Sequence, residues 1–304
     1  MKIVKIYPDK SKFHFGYLGL DIDDEFFHSD SLFSAITINY IRKFGDENIN
    51  EFVSNFPKIS SLFYGWKSKK ELLFIPKFLD FEIPKNLLDR DRKLIKKIKF
   101  ISFDSLKEQK LKVNKNKDII YPENIDEDIN LFFDHVEEKV SIDRITLKSA
   151  EDKLFNISYV VPNEKTFFYF FVDGDITDEL KESINMIKIF GLGGRINTGS
   201  GKIKEIEFQD FPGFETESKY YTNLSVVYPK STEVDYIIKY KLLERKGWLY
   251  NDSSRKDNLI SIGEGSIFSR KIEGQIITTN VMGKNIFRYG KAFMLPVVIK
   301  NGKG

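Results

Sequence analysis

The chain has 304 residues, a formal net charge of +3 and no cysteine. Its length and its 41% hydrophobic content predict two domains, or one large one, with sizeable cores. The composition excludes disulfides, iron–sulfur clusters and thiolate zinc sites, and the small net charge means that any nucleic-acid role must come from a local basic patch.

The N-terminal segment predicts two extended runs followed by an amphipathic helix. Residues 2–7 alternate lysine with apolar side chains, which is typical of a strand, and a second extended run covers residues 12–18. The segment lacks the apolar core of a signal peptide, and no apolar run in the chain approaches membrane-spanning length. We therefore expect a soluble, cytoplasmic protein with no membrane partner. Apolar side chains at helical spacing begin at Leu32, with Ser29 or Asp30 as the predicted N-cap.

A strand pair and then a strongly charged block come next. Residues 61–64 and 72–75 are predicted strands on either side of a turn at 65–68. Residues 85–117 hold twelve Lys or Arg and four acids, whereas residues 118–138 hold eight acids and neither Lys nor Arg. Two interpretations of this block stay open: an inserted arm whose basic half meets a phosphate backbone, and a solvated insertion whose charges compensate each other.

Regular elements resume after the charged block. Strand-like alternation covers residues 139–147. Residues 154–161 and 166–172 are rich in aromatic and β-branched side chains, and they predict a hairpin that leads into a well-buried strand.

A helix, a glycine-rich loop and a strand follow. The helix is predicted over residues 177–190, with Thr177 or Asp175 as N-cap and Gly191 as the terminating glycine, and the strand over residues 203–208. The order strand, helix, strand, strand, helix, strand is the βαββαβ pattern of a ferredoxin-like domain, with the charged block as a long insertion.

The glycine-rich loop is the sharpest functional signal in the chain. Residues 190–202 contain five glycines and the cations Arg195 and Lys202. Clustered glycines let backbone N–H groups approach an anion closely, because no Cβ stands in the way and positive φ is accessible. The loop lacks a Gly-Lys-Ser/Thr ending and follows a helix, so it is neither a P-loop nor a dinucleotide fingerprint. A phosphate cradle and a plain connector both stay open, and the second half, Gly199-Ser200-Gly201-Lys202, favours the cradle.

A domain boundary is predicted at Phe211-Pro212-Gly213. The N-terminal domain then covers residues 1–212, with the insertion at about 85–150 and the loop at 191–202, and a smaller β-rich domain covers residues 213–304. Strand-like segments of the second domain are 219–228, 236–250, 259–269, 274–281 and 292–299.

Five stretches of the sequence together resemble one known family. They are a His-Ser-Asp-x-Leu-Phe-x-Ala helix start at 28–35, the glycine-rich loop, Asp143-Arg144-Ile145-Thr146, Glu244-Arg245-Lys246-Gly247-Trp248 and Arg288-Tyr289-Gly290-Lys291-Ala292-Phe293. The first two resemble the RAMP superfamily of CRISPR-associated RNA-binding proteins. The other three resemble one branch of it, the fourth Csm subunit of type III-A interference complexes. The resemblance covers nearly the whole chain, from residue 28 to residue 293.

The resemblance implies an α+β protein with two ferredoxin-like, RRM-related domains, a long inserted β-hairpin thumb and a glycine-rich loop. Members of this family cap the base of the complex and hold the repeat-derived 5′ tag of the crRNA. They also dock the large polymerase-like subunit and the backbone RAMP subunit three. Residues 144–147 and the charged block fall where the thumb is expected. The implied function is RNA binding without catalysis, with no cofactor and no metal.

The residues that we expect to contact RNA lie at the helix start, in the thumb, in the loop and in the two basic-aromatic motifs. Aromatic side chains beside Arg or Lys suit base stacking with charge on the backbone. A place in the hydrophobic core is an equal alternative for Trp248 and Tyr289. The expected set is His28, Ser29, Arg144, Thr146, Gly191, Gly193, Gly194, Arg195, Gly199, Ser200, Gly201, Lys202, Arg245, Lys246, Trp248, Arg288 and Tyr289.

Three other functions stay open. The RAMP superfamily also contains the crRNA-processing endoribonuclease, which often uses a histidine as general acid or base, and His28 is the candidate for that role. Its position before a helix N-terminus favours a neutral imidazole, which can stack on a base or bond a phosphate without doing chemistry. The remaining alternatives are the equivalent capping subunit of the type III-B complex and a generic phosphate-binding ferredoxin-like protein.

Overall fold

The computed structural model is an α+β fold made mostly of sheet, with few helices. It describes residues 1–16, 26–83, 87, 97–108, 110–116, 118–142, 149–214, 218–247, 249, 256–281 and 283–299. The predictions made for Arg144, Thr146 and Trp248 therefore lie outside the described residues. None of the helices in the described ranges is both long and apolar enough to cross a membrane.

Four α-helices and nineteen strands occur in the described residues. The helices are α1 Ser29–Phe44, α2 Ile49–Ser54, α3 Asp178–Asn185 and α4 Ile187–Phe190. The strands are β1 Lys2–Pro8, β2 Lys58–Ile59, β3 Phe63–Trp66, β4 Leu72–Pro76, β5 Phe100–Ser102, β6 Leu111–Val113, β7 Ile119–Pro122, β8 Phe132–Ile142, β9 Ser149–Pro162, β10 Thr166–Asp173, β11 Ile203–Asp210, β12 Tyr220–Asn223, β13 Ile237–Lys239, β14 Leu242–Arg245, β15 Leu259–Ile262, β16 Ile267–Phe268, β17 Ile277–Val281, β18 Lys284–Arg288 and β19 Met294–Val297.

The main sheet begins with the spatial order β11-β1-β10-β3, and all of these neighbours are antiparallel. Along the chain these strands alternate with helices in the predicted order, β1, α1, β3, β10, α3 and β11. Helices α1 and α3 cover one face of the sheet, where Leu32 and Ile184 share a core with Phe168 and Phe170.

The C-terminal half of the chain covers the other face of the sheet. There, Phe167 and Tyr169 of β10 share a second core with Phe293 and Leu295. Because β10 is covered on both faces, its apolar residues form an unbroken run rather than an alternating one, and seven of its eight residues are buried. The prediction of a well-buried strand here is confirmed.

The predicted hairpin between the segments at 154–161 and 166–172 is wrong. Strand β9 pairs instead with β8, in an antiparallel ribbon that runs from Phe132 opposite Pro162 to Ile142 opposite Ser149. The physical reason is that β1 and β3 already occupy both edges of β10, so that no edge remains for β9.

The charged block contributes strands to the main sheet, which continues β3-β4-β5-β7-β6. Strands β5 and β7 contribute buried side chains to the cores on the two faces of this sheet, namely Phe100, Ile101, Ile119 and Ile120. Part of the block therefore belongs to the folded sheet, which neither interpretation of it predicted, whereas Lys107, Glu108 and Lys110 are exposed.

The C-terminal half contains a four-stranded sheet with the order β13-β16-β12-β19, and two further two-stranded ribbons. One ribbon pairs β14 with β15 and the other pairs β17 with β18. Strand β18 was not among the predicted segments. It returns from β17 through a turn at Gly283, whose φ of 77° suits glycine.

Candidate nucleic-acid interface

The glycine-rich loop begins at the end of α4, the short helix that follows α3. Thr177 caps α3 by accepting a hydrogen bond from the Leu180 N–H at 3.3 Å, as predicted. Gly191 ends α4 with a φ of 82°, and its N–H donates to the Ile187 carbonyl at 2.8 Å, also as predicted.

The loop then packs against the extended segment at residues 11–15. The N–H of Gly194 donates to the His14 carbonyl at 2.8 Å, and the N–H of Gly201 donates to the Lys12 carbonyl at 2.9 Å. Glycine is required at Gly193 and Gly201, because a Cβ at Gly193 would lie 2.7 Å from the His14 carbonyl oxygen and a Cβ at Gly201 would clash with the Leu192 carbonyl oxygen. The close packing uses the glycines chiefly to bring two stretches of backbone together.

Many backbone N–H groups of the loop donate hydrogen bonds to other atoms of the protein. The donors are those of Gly191, Leu192, Gly194, Thr198, Gly199, Gly201 and Lys202. Fewer backbone N–H groups of the loop therefore remain to bind a phosphate than the sequence predicts. The exposed part of the loop is Asn197 to Gly199, and a Cβ at Gly199 would meet nothing within 4 Å. Ser200 is buried, and its hydroxyl has no hydrogen-bond partner within the described ranges.

An open basic cleft lies between this loop and the base of the β8–β9 ribbon. Its volume is about 450 Å³. Its charged side chains are three lysines and a single carboxylate, and the exposed imidazole of His135 lies at its rim. The cleft is lined by Asp9, Lys10, Ser11, Lys12, His135, Val161, Gly199 and Lys202. We call this the loop cleft.

A carboxylate fixes the ribbon beside the loop cleft. Glu137 of β8 accepts a hydrogen bond from Lys12 and a second from Lys139 at 2.7 Å. These two hydrogen bonds, that from Lys12 first, lower the pKa of Glu137 to about 2. The Lys12 ammonium also lies 4.3 Å from the ring centroid of Tyr159 on β9. An electrostatic interaction also links Arg195 of the glycine-rich loop to Lys139 of β8, so Arg195 lies near the same ribbon.

The helix start at residues 28–31 lies away from the loop cleft, where the N-terminal part of the chain (residues 1–212) contacts the C-terminal part (residues 213–304). We call this contact region the seam. His28 is 6% exposed, and its Nδ1 lies 2.9 Å and 3.0 Å from the two carboxylate oxygens of Glu264. Ser61 also donates to this carboxylate. Burial alone would raise the pKa of Glu264, but the facing imidazole and these hydrogen bonds hold that pKa below its ordinary value.

The next two residues of the helix start also bind the C-terminal half. The Ser29 hydroxyl accepts a hydrogen bond from the Val226 N–H at 2.9 Å. Asp30 receives two hydrogen bonds from Arg245, both of 2.8 Å. Burial raises the pKa of Asp30, but the Arg245 guanidinium outweighs it and holds that pKa below its ordinary value. The prediction that Ser29 or Asp30 caps α1 is wrong: His28 occupies the N-cap position, because both side chains are engaged at the seam.

The first two residues of the C-terminal motif, Arg288 and Tyr289, make different contacts. Tyr289 is fully buried, its ring stacks on Phe33 with centroids 5.2 Å apart, and its hydroxyl accepts from the Ile59 N–H at 2.6 Å. Of the two interpretations, Tyr289 is a core residue. Arg288 is also buried, and its guanidinium donates to the Asp257 carbonyl at 2.6 Å. Lys246 is exposed and pairs with Glu244 at 2.8 Å.

The structure thus separates the predicted residues into two groups. Gly191 to Lys202 lie by the loop cleft, whereas His28, Ser29, Arg245, Arg288 and Tyr289 lie in or beside the seam. Sequence reasoning missed Lys10, Lys12 and His135, because no local pattern marks them as neighbours of a loop far along the chain. It also missed Glu264, which stands alone between glycines in the sequence.

The chain is similar to known proteins over nearly its whole length. Residues 10–204 match the model of the RAMP superfamily, and residues 216–297 match that of the CRISPR Csm4 C-terminal domain. A protein from Methanocaldococcus jannaschii, "CRISPR system Cms protein Csm4", is 31% identical over 97% of both chains. The chain belongs to the Csm4 family of the RAMP superfamily.

Solved structures agree with this assignment. A chain in the crystal structure of a Csm3–Csm4 subcomplex of the type III-A CRISPR-Cas interference complex superposes with a TM-score of 0.71 at 28% identity, over 98% of this chain and 100% of that one. A chain in a Csm1–Csm4 cassette in complex with cA4 superposes with a TM-score of 0.64 at 19% identity, over 99% of both chains, and shows the same fold. The RAMP match spans α1 to the glycine-rich loop, and the Csm4 C-terminal match spans β12 to β19.

Proposed function

We propose that this Csm4-family chain is the non-catalytic crRNA-binding subunit of a type III-A CRISPR interference complex, and that it holds the repeat-derived 5′ tag. The observation that carries the proposal is the loop cleft, where Lys10 and Lys202 are exposed beside the tip of the glycine-rich loop and the half-buried Lys12 pairs with Glu137. Lysines arranged along an open groove suit the phosphate backbone of a single strand, which binds by charge with little demand on sequence.

The β8–β9 ribbon supplies a second support. Its exposed apolar side chains include Phe133, which is 52% exposed and lies on the same face of β8 as His135 and Glu137, whereas Val136, Val140 and Leu154 lie on the opposite face. An aromatic ring exposed on the face that borders a basic cleft is placed to pack on a splayed base while the lysines bind phosphates. We infer that this ribbon is the family's thumb, and we propose that Arg144 and Thr146, which lie between β8 and β9 in the sequence, bind RNA together with it.

The domain organisation follows from the same account. The sheet order β11-β1-β10-β3 with its two helical segments supports a ferredoxin-like first domain over residues 1–212. We propose a second, β-rich domain of the same type over residues 213–304. The named relatives in Csm3–Csm4 and Csm1–Csm4 assemblies support the backbone subunit and the large subunit as the partners of this chain.

The environment of His28 supports binding without catalysis. A general base in RNA cleavage must reach the 2′-hydroxyl directly or through one water. His28 is instead buried, and it faces a carboxylate that is 3% exposed. Its contacts suit a structural role at the seam, with the cytoplasmic crRNA as the ligand at the loop cleft.

The test is the affinity for a labelled single-stranded RNA that begins with the repeat-derived tag, measured by fluorescence anisotropy at several salt concentrations. We expect Arg195→Glu and Lys202→Glu each to weaken binding about tenfold and to reduce the salt slope by about one. Lys43→Glu is the matched control, because Lys43 is exposed on α1 and pairs with Glu182 at 2.5 Å. Equal affinities for all four proteins would contradict the assignment of RNA to the loop cleft.

A further inference from the structure

A cavity of about 260 Å³ lies between α1, α2 and the start of α3, and it shares no residue with the loop cleft. Helix α1 supplies Tyr40, α2 supplies Glu51 and Phe52, and Asp175 and Glu179 come from the start of α3 and the residues before it. Pockets for whole small molecules are usually larger, about 300–1,000 Å³, so this cavity suits a single side chain. We call it the helix pocket.

The charged side chains that line the helix pocket are all acidic. Glu51, Asp175 and Glu179 are exposed at its rim, and no lysine, arginine or histidine is among the lining residues that the structure describes. Within the described ranges, none of these three carboxylates forms an ion pair or a side-chain hydrogen bond. Like charges around one space repel each other, so a cation between them would stabilise all three.

The inner wall of the helix pocket is aromatic and apolar. The rings of Tyr40 and Phe52 stack with their centroids 3.9 Å apart. Phe56 and Leu180 also line the pocket and are 2% and 3% exposed. An aromatic wall below a rim of carboxylates is a place where a cation gains ion pairs and cation–π contacts together.

A buried hydroxyl without a partner opens into the same pocket. Tyr40 is 6% exposed, and its hydroxyl makes no hydrogen bond within the described part of the chain. The hydroxyl is not shut off from solvent, so it is open to the pocket that Tyr40 lines. Burial raises the pKa of Tyr40, and the charges of Glu179, Glu51 and Glu47 raise it further, so the phenol lies among these carboxylates. An accessible hydroxyl that the protein leaves unpaired calls for a partner from outside.

The chemistry of the helix pocket selects the class of ligand. Three carboxylates would repel the phosphates of RNA. The described residues contain no group of three or more carboxylate or imidazole side chains arranged to hold a metal ion. The N-terminus of α3 opposes a cation with roughly half a positive charge, which three full negative charges outweigh. An organic cation therefore fits the pocket best.

We propose that the helix pocket binds one arginine side chain of a partner protein. A guanidinium is planar, carries several N–H donors and is less strongly hydrated than an ammonium, so it can donate to the carboxylates and the Tyr40 hydroxyl while it packs on the aromatic wall. The partner is a protein subunit of the proposed complex, and in this respect the inference rests on the proposed function. The helical face of the main sheet thus binds protein, whereas the loop cleft binds RNA.

The first arm of the test titrates the purified chain with N-acetyl-arginine amide at pH 7 and low ionic strength, and follows binding by ligand-observed NMR. This probe is an arginine without charged ends, and N-acetyl-citrulline amide is its uncharged counterpart. We expect saturable binding of the arginine probe and about tenfold weaker binding of the citrulline probe. Glu51→Gln and Glu179→Gln should each weaken binding of the arginine probe about fivefold, and Tyr40→Phe about threefold.

The matched control for the first arm is Glu164→Gln. Glu164 is an exposed carboxylate between β9 and β10, outside the helix pocket, so this variant should bind the arginine probe as the wild type does. No saturable binding in the wild type, equal binding of the two probes, or equal affinities in all variants would overturn the pocket.

The second arm measures the affinity of the chain for the purified backbone subunit and for the purified large subunit. Glu51→Arg and Glu179→Arg set a like charge against the partner's arginine, so each should weaken binding to one of the two subunits about tenfold. Glu164→Arg should leave both affinities unchanged. Unchanged binding of the pocket variants to both subunits would overturn the assignment of the arginine to a partner subunit.

The affinity for tagged RNA distinguishes this inference from the proposed function. Because the helix pocket shares no residue with the loop cleft, Glu51→Gln should bind the RNA as the wild type does. Normal RNA binding with no response to the arginine probe would overturn the pocket alone. Binding of the arginine probe that depends on Glu51 and Glu179, with no RNA binding in any protein, would instead overturn the proposed function.

Discussion

The buried pair at the seam makes a strong prediction about stability. Glu264→Gln keeps the shape and one acceptor oxygen for Ser61 but removes the charge that faces His28 at 2.9 Å and 3.0 Å. Breaking a buried pair by removing one partner costs about 3–5 kcal/mol. Because the glutamine oxygen keeps one hydrogen bond, we expect the lower end, about 3 kcal/mol, and a midpoint of thermal unfolding lowered by roughly 5–10 °C.

Urea unfolding at pH 7 measures this cost directly. Glu244→Gln is the matched control, since Glu244 is exposed and its pair with Lys246 should contribute less than about 1 kcal/mol. The pKa of Glu264 lies below its ordinary value of 4.5, so its contribution is present above that pH and is lost as the pH falls through the folded-state pKa. The gap between wild type and Glu264→Gln should therefore narrow in acid. A Glu264→Gln protein as stable as Glu244→Gln at pH 7 would refute this reasoning.

Three further predictions concern the loop, the ribbon and Lys256, which lies just before β15. Gly201→Ala should lower the free energy of unfolding by about 3 kcal/mol, because the new Cβ clashes with the Leu192 carbonyl at a φ of 76°. Gly199→Ala has open space at a φ of 89° and should cost about 1 kcal/mol, so equal costs in urea would contradict the packing of the loop. The pKa of Glu137 is about 2, so its link to Lys12 stabilises the ribbon above pH 4.5 and is lost as the pH falls towards 2. Hydrogen exchange of β8 and β9 should accelerate in that window and, in Glu137→Gln, already at pH 7; unchanged exchange would mean that other contacts hold the ribbon. The pKa of Lys256 is about 8 rather than 10.5, so its charge destabilises the fold below pH 8 and this cost is relieved as the pH rises to 10.5. Lys256→Met should therefore be more stable than the wild type by about 1–3 kcal/mol at pH 7 and no more stable at pH 10.5, and a loss of stability at pH 7 would show that the ammonium is well solvated.

Local signals in the sequence predicted local structure well. Thr177 and Gly191 mark the ends of the second helical segment because a capping hydroxyl and a positive-φ glycine act within a few residues. The alternation over residues 2–7 likewise predicts β1, whose pattern needs only its own neighbours. The sequence motifs also indicated the family, and the matches to the RAMP superfamily and to Csm4 confirm it.

Pairing between distant segments was beyond the sequence. The partner of His28 is 236 residues away, so nothing near the helix start shows that its polar side chains bind the C-terminal half rather than cap the helix. Strand β9 carries the same residue types as a partner of β10 would, and only the occupied edges of β10 decide that it pairs with β8. The glycines of the loop were predicted to face a phosphate, but Gly194 and Gly201 face the segment at residues 11–15.

The most direct test of RNA binding without catalysis uses one incubation and two gels. The purified chain is mixed with end-labelled repeat-spacer RNA in EDTA, and the same samples are run under native and denaturing conditions. The account predicts a native shift that requires the 5′ tag, with intact RNA on the denaturing gel. A discrete cut within the repeat would contradict it and would make His28 the first residue to substitute.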